Sequence, residues 1–322
     1  MASLLRRGRR GQARRWPHSF ASRLTAPLPT PMRLLRLVRE GGFTGFIGFK
    51  GSTEGADRIP VAARTPLPTG NALTWLGHAS FLLRLGERTV AVDPVLSGRI
   101  FGAGRRLTPP GLDRLPPLDL LLISHNHYDH LDAPTMRALP RDTPMVVPGG
   151  LGRWFRRRRF TSVTELDWWE STRVGPLEVA FVPAHHWSRR GLFDACASLW
   201  GGWVLTTGEQ CVYHAGDTGY GPYFAEIGSR FSGIDTAILP VGAYAPRWFM
   251  RPVHIDPEEA VQAAHDIGAR IMVPMHWGTF QLTCEPVLEP IERTRVAWAA
   301  AGRDPANLWD LAIGESRPLW TP

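Results

Sequence analysis

Eight residues, Ile123 to His130, read ISHNHYDH, which packs three histidines and an aspartate into one short run directly after the apolar Leu120 to Leu122. Imidazole nitrogens and carboxylate oxygens are ligands for zinc, manganese or iron. Two residues apart on extended chain, His125 and His127 point the same way, while Asp129 and His130 follow where the strand opens into a loop. Four ligand groups thus converge on one small volume. Three further places put a histidine or aspartate just past an apolar run, beside small or turn residues: His185 and His186 after LEVAFVPA, Asp217 after CVYHAG, and His276 after RIMVPM. Together they offer enough ligands for two ions. Two metals about 3.5–4 Å apart can share a hydroxide, because the pKa of bound water falls toward about 7 on zinc. The same ions polarise a phosphoryl oxygen and stabilise a leaving alkoxide, so no serine or cysteine nucleophile is required.

Such ligands need strand ends to deliver them, and from about Asn71 the chain alternates apolar runs with turns. LTWLGHASFLLRL and RTVAVDPVL, joined at Gly86-Glu87, read as a hairpin. LDLLLIS and TPMVVPG read as strands, PTMRALP as a short helix, LGRWFRRRRF as a helix or basic surface turn, and VTELDWW as a strand. A second series follows with LEVAFV, a hairpin across Thr207-Gly208-Glu209, the strand DTAILPVG, a helix opening at Pro257 and the strand RIMVPM. Two similar strand-rich halves with interspersed helices predict stacked sheets covered by helices.

Composition narrows the partners. The net charge is +8, yet residues 1–39 hold ten arginines and no acid, so removing them turns +8 into −2 for the remainder. The basicity is an arm, and the nearly neutral body predicts no nucleic-acid partner, with Arg153 to Arg159 the one basic exception. Residues 1–70 read as a basic, Pro-rich extension that is ordered in part at most, with an amphipathic segment near Met32 to Arg39, and residues 71–322 as the main domain. The arm by itself suits an anionic membrane surface or nucleic acid, resembles an acidic-poor targeting leader, or serves as a solvated tail. No run reaches the roughly 20 apolar residues of a membrane span. Cys196, Cys211 and Cys284 lack CxxC spacing, which argues against a disulfide framework and for a reducing, cytoplasmic setting, where the basic arm would allow a peripheral position at the inner face of the membrane.

The stretches TWLGHAS, ISHNHYDHLD, ELDWWE, GDTGY, GAYAPRWFM, HIDPEEA and HWGTF, spread over roughly residues 72–290, resemble the metallo-β-lactamase superfamily. Its signature is HxHxDH followed by a distal histidine, an aspartate and a final histidine. The chain is most similar to the branch of phospholipases D that hydrolyse N-acylphosphatidylethanolamine. The resemblance implies an α+β fold, a four-layer αβ/βα sandwich of two mixed sheets flanked by helices. It implies two zinc ions, with manganese or iron as alternatives. His125, His127 and His186 would hold one, Asp129, His130 and His276 the other, and Asp217 would bridge them. The family ligand stands directly before a tryptophan, which selects His186 and leaves His185 a supporting role. Asp93 in AVDPVL matches an aspartate that would fix a ligand imidazole, or else is a turn-forming Asp-Pro.

His78 and His254 match positions near metals or substrate, and catalytic roles would fall to Asp129, Asp217 and His254. Trp248 and Phe249 are candidates to line an apolar groove. His214 is expected in the core and His265 on the surface. The implied substrate is a phospholipid, cleaved to an N-acylethanolamine and a phosphatidic acid, and the family also implies a homodimer. Two rival readings are a hydrolase of a lactone, cyclic nucleotide or RNA at the same site, and a non-catalytic lipid- or nucleic-acid-binding protein. The filled set of ligand positions speaks against the second.

Overall fold

The computed structural model describes residues 15–40, 55–62, 69–100, 115–208 and 210–319, with the backbone of the short strands Arg6–Arg7 and Ala103–Gly104. Two seven-stranded sheets form the body. The first runs in spatial order through Ser316–Pro318, Ala72–Gly77, Ser80–Leu85, Arg88–Val92, Leu120–Leu122, Met145–Pro148 and Val163–Leu166. The second runs through Arg6–Arg7, Glu170–Val174, Leu177–Val182, Gly202–Thr206, Cys211–His214, Thr236–Pro240 and Ile271–Met275. Each sheet is mixed, with a run of antiparallel neighbours followed by a run of parallel ones, and in the second sheet Arg6–Arg7 adds a parallel pairing with Glu170–Val174 at the edge.

Side chains of a strand alternate between its two faces, and here both faces are covered. In the first sheet Phe81, Leu83, Val90, Val92, Leu120 and Leu122 join the large core shared with the second sheet. Leu82, Ala91, Leu121, Ile123, Met145 and Val147 turn the other way and pack with Met136 and Phe155 from the helices Ala133–Ala138 and Gly152–Arg156. Helices Tyr223–Arg230, Pro257–Ile267 and Glu289–Ala300 contribute Ile227, Ala264, Ile291 and Trp298 to the core of the second sheet. The metallo-β-lactamase sandwich expected from the sequence is the fold observed.

Two local expectations change. The run LTWLGHASFLLRL is two antiparallel strands, not one, because the chain reverses at Gly77 and His78, both with positive φ (95° and 55°). VTELDWW is a strand only to Leu166, and Trp169 also takes a left-handed φ of 67°. The helix Glu289–Ala300 and the strand Ser316–Pro318 lie beyond the segments whose pattern predicted elements.

The described part of the extension is anchored to the body at particular residues, Phe20 and Leu37 being buried while most of its other side chains are exposed or half-buried. Phe20 is buried in the main core, its N–H donating to the Cys196 carbonyl at 2.7 Å, and the Arg23 guanidinium holds both Asp167 oxygens at 2.6 and 3.0 Å. The helix Pro31–Arg39 opens with Thr30 accepting from the Arg33 N–H at 3.3 Å and with proline at its first position. The arginine-rich residues 8–14 and the stretch 41–54 lie outside the described residues.

Candidate metal centre

The centre gathers at the ends of strands from both sheets. His125 and His127 follow Leu120–Leu122, His186 follows Leu177–Val182, Asp217 follows Cys211–His214, and His276 follows Ile271–Met275. Ligands outside the carboxyl ends of strands are the usual arrangement in parallel αβ sheets, because backbone there can turn freely while the strand holds it in place. Three of the local residues, His78, Asp93 and His276, take positive φ values of 55°, 44° and 67°. Non-glycine residues persist in that region only when surrounding structure holds them there, and such outliers cluster at functional sites.

Two groups of ligand atoms emerge, each with its members within 4.8 Å of one another: His125, His127, His186 and Asp217, and His78, Asp129, His130 and His276. Asp217 reaches into both, since one oxygen lies 3.1 Å from His276 Nε2 and the other 3.2 Å from His130 Nε2. A third grouping joins Asp217, His254 and His276. His78, expected near the metals or substrate, therefore stands inside the second group, with Nε2 at 3.1 Å from Asp129 Oδ2.

Partners behind the cluster orient the rings. Asp93 accepts from His130 Nδ1 at 2.8 Å, from the Ser124 N–H at 2.7 Å and from the Ser124 hydroxyl at 2.5 Å. His186 Nδ1 donates to the Val253 carbonyl at 3.0 Å. In both histidines the proton on Nδ1 leaves the Nε2 lone pair for the interior of the cluster. Thr279 Oγ1 accepts from the His78 N–H at 2.7 Å and holds the strained turn. Arg190 donates to the carbonyls of Asn126 and Leu131 at 3.2 and 2.6 Å, which ties down the loop carrying four ligands, and the Tyr128 hydroxyl donates back to the Arg190 carbonyl at 2.8 Å. Arg247 donates to the His254 carbonyl at 2.8 Å and to Glu259 at 2.6 Å, fixing His254 to the start of the helix Pro257–Ile267.

The electrostatics separate the two groups. Burial, with neighbouring imidazoles, lowers His127 to about 3 and His186 to about 4, and takes His125 well below its ordinary 6.5. Burial works against charge on His276 and His130 too, but Asp217 and Asp129 outweigh it, raising His276 to about 9 and His130 well above 6.5. Burial also opposes ionisation of Asp129 and Asp217, yet the surrounding histidines, His130 foremost, hold both carboxyls well below the usual range. The imidazoles of the first group are thus neutral, whereas in the second His130 and His276 are charged against Asp129 and Asp217 and only His78, lowered to about 3 by burial, is neutral.

These residues fit a pair of metal ions. His254 Nδ1 is buried without a partner, and His130 Nε2, His276 Nε2 and Asp217 Oδ1 meet only in charged contacts that lack hydrogen-bond geometry, although buried polar atoms are rarely left so. His127 Nδ1 lies 2.9 Å from His125 Nε2 and 3.1 Å from His186 Nε2, a crowding of ring nitrogens that a shared cation relieves. None of the three cysteines joins a ligand group.

Other expected residues stand further out. His185 is half-buried against Tyr223, 4.9 Å between ring centroids, and is in none of the ligand groups. Trp248 and Phe249 belong to the short helix Arg247–Met250 and are engaged by the N-terminal helix: Arg36 lies 4.2 Å from the Trp248 ring, and the indole N–H donates to Glu40 at 2.9 Å. His214 is buried, with Nε2 3.0 Å from the Ala79 carbonyl, and His265 is exposed. Sequence reasoning passed over Ser124, Thr279 and Arg190. Only Ser124, beside the first ligand, carried a signal in its position.

Residues 88–277 match the model of the Beta-lactamase superfamily domain. The chain is 37% identical over 247 residues to the N-acyl-phosphatidylethanolamine-hydrolyzing phospholipase D 1 of Caenorhabditis elegans, a match covering 70% of this chain and 69% of the nematode protein. It is 36% identical over 234 residues to the mitochondrial N-acyl-phosphatidylethanolamine-hydrolyzing phospholipase D of Saccharomyces cerevisiae, covering 68% of this chain and 50% of the yeast protein. A metallo hydrolase from Ignicoccus hospitalis shares the fold with a TM-score of 0.60 at 22% identity, covering 77% of this chain and 97% of the archaeal one. Sequence, fold and ligand geometry agree, and this protein belongs to the β-lactamase superfamily as a metal-dependent hydrolase.

Proposed function

We propose that this hydrolase cleaves the phosphodiester of an N-acylated phosphatidylethanolamine, releasing an N-acylethanolamine and a phosphatidic acid. The observation that carries the reading is the pair of ligand groups joined through Asp217, in a chain over a third identical to phospholipases D named for that substrate. Zinc fits the imidazole and carboxylate donors, with manganese or iron as alternatives. His125, His127 and His186 would hold one ion, Asp129, His130 and His276 the other, with His78 beside the second and Asp217 between them. Two such ions supply Lewis acidity toward a phosphoryl oxygen and a water acidic enough to attack at neutral pH.

The chain's own groups do the rest. Asp93 and the Val253 carbonyl keep His130 and His186 in the tautomer that presents Nε2 inward. Burial keeps His254 uncharged, and its Nδ1 has no protein partner, so this atom can take a proton from the attacking water and pass it to the departing ethanolamine oxygen. Water adds to phosphorus, the bond from phosphorus to that oxygen breaks, and phosphatidic acid remains.

The N-terminal helix supports a membrane-facing role. It exposes Met32, Leu34, Leu35 and Val38 beside Arg33, Arg36 and Arg39, the pattern of a basic amphipathic helix lying on anionic lipid. Phe20 and Leu37 are buried, so the role is tested with Met32→Ser, Leu35→Ser and Val38→Ser together, not by truncation. Binding to anionic vesicles should weaken while turnover of a soluble phosphodiester persists.

The function is tested by elemental analysis alongside hydrolysis of a panel of lipid and soluble phosphodiesters, for wild type and Asp129→Asn. Two metals per chain, with lipid cleavage lost in the variant, are expected. Activity confined to lactones, cyclic nucleotides or RNA would keep the metal chemistry and overturn the substrate.

A further inference from the structure

We propose that the loop Arg189–Asp194, with the arginines of the neighbouring helix Gly152–Arg156 and its C-terminal turn, is an interfacial docking surface for an anionic phospholipid bilayer. The inference rests on the phospholipid reading of the metal centre for its purpose, though not for its geometry. Leu192 and Phe193 are 78% and 99% exposed, an adjacent pair of large apolar side chains presented to solvent at a loop tip. Single exposed apolar residues are common, but a fully exposed phenylalanine next to an exposed leucine is a costly surface unless something covers it.

The surroundings say what covers it. Arg153, Trp154, Arg157, Arg158 and Asp194 line one open groove, and Arg189 lies two residues before Gly191. Arg153, Arg157, Arg158 and Arg189 are exposed, and none has a carboxylate within ion-pair distance among the described residues. Their hydrogen bonds go to carbonyls instead: Arg158 to Trp154, Arg153 to Ala197, and Arg189 to Gly191. Asp194, the one acid in the groove, is occupied by the N–H groups of Arg190 and Gly191 at 3.0 and 2.6 Å. Trp154 stands half-buried with the Arg158 guanidinium 3.7 Å from its ring. Arginines for phosphates, a tryptophan at headgroup depth and a Phe-Leu tip for the acyl boundary form the combination that an anionic interface selects. An RNA partner would use the arginines but leave Leu192 and Phe193 in water.

The surface is coupled to the centre. Arg190, inside the loop, holds the Asn126 and Leu131 carbonyls of the metal-binding loop, and the Trp187 ring is 5.0 Å from that of His127. A bilayer seated on Phe193 is therefore linked through Arg190 to the loop that carries four of the ligands.

The test is sedimentation with vesicles of phosphatidylcholine, with and without phosphatidylglycerol, alongside hydrolysis of soluble bis(p-nitrophenyl) phosphate. Wild type should partition onto the anionic vesicles. Arg153→Gln, Arg157→Gln and Arg158→Gln combined should weaken that partition by about a hundredfold, at about fivefold per arginine. Leu192→Ser with Phe193→Ser should weaken it by about tenfold or more, and both variants should keep wild-type thermal melting and soluble turnover. Wild-type partition by either variant, equal binding to vesicles without phosphatidylglycerol, or capture by single-stranded RNA with no vesicle binding would overturn the proposal. Vesicle binding without phosphodiester hydrolysis would defeat the substrate reading and leave the docking surface standing; lipid hydrolysis without vesicle partition would do the reverse.

Discussion

Asp93 controls a metal ligand from behind it. With no solvent exposure, it spends its oxygens on His130 and on Ser124, which itself sits next to His125. Asp93→Asn keeps the shape but removes the charge that steers the His130 proton to Nδ1, and metal affinity at that group should fall about 10- to 100-fold in chelator competition. The two ligand groups should also differ in proton release. His127 and His186 titrate at about 3 and 4, so they are already neutral at pH 7, whereas His276, raised to about 9, and His130 must each give up a proton to bind metal. Titrating metal-free protein with zinc in buffers of different ionisation enthalpy should show one equivalent binding without proton release and one releasing protons. Affinity of the second should weaken about tenfold per released proton for each pH unit below 9. Equal proton release by both equivalents would contradict this division. The loop from His125 to His130 was legible because its ligands are neighbours in sequence. The contact of Asp93 with Ser124 was not, because the parallel register of Arg88–Val92 with Leu120–Leu122 makes it across 31 residues, nor was that of Arg190 with Leu131, which joins two loops 59 residues apart.

Elements were read well where end signals were local. The helix Pro257–Ile267 begins with a capping box between Asp256 and Glu259 and with proline at its first position, and ends at Gly268 with φ of 77°; each signal lies within a turn of the boundary it marks. The hairpin between Ala72–Gly77 and Ser80–Leu85 was missed because its turn carries His78 where glycine or asparagine is usual, and the residue is held there by Thr279, some 201 positions away. The helix Glu289–Ala300 buries Pro290, Ile291, Thr294 and Trp298, a stripe interrupted by charges. Trp298 is 1% exposed, donates its indole N–H to the Asp304 carbonyl at 2.9 Å and is covered by Arg303. Trp298→Ala should lower unfolding free energy by about 3–5 kcal/mol in urea titrations, with the metal content of the folded fraction unchanged.

At the scale of the molecule, the centre joins the two sheets: the first contributes His125, His127, Asp129 and His130, and the second contributes His186, Asp217 and His276. Metal bound only by the folded state stabilises it, by about 2.7 kcal/mol for each site held at a hundred times its dissociation constant. Stripping metal with a chelator should therefore lower the melting temperature, and restoring it should reverse the loss. Without metal, the histidines set a pH dependence with two limbs. His78, His127 and His186 titrate at about 3, 3 and 4 against 6.5 when unfolded, so the unfolded chain binds more protons and stability falls as pH drops below 6.5. His276 acts oppositely, contributing stability below 6.5 that is lost as pH rises through about 9. Melting of metal-free protein across pH should show this histidine contribution greatest near 6.5, and a monotonic rise to pH 9 would contradict it.

The first sheet is finished late in synthesis. Ser316–Pro318 pairs with Ala72–Gly77 and is the outermost strand on that side, whereas the opposite edge is complete once Val163–Leu166 has formed. A nascent chain that has not yet released residue 318 thus carries Ala72–Gly77 as an open apolar edge, the template on which chains join end to end. Stalling or truncation shortly before that strand should yield aggregates rather than a smaller folded hydrolase, even though every metal ligand has already been made.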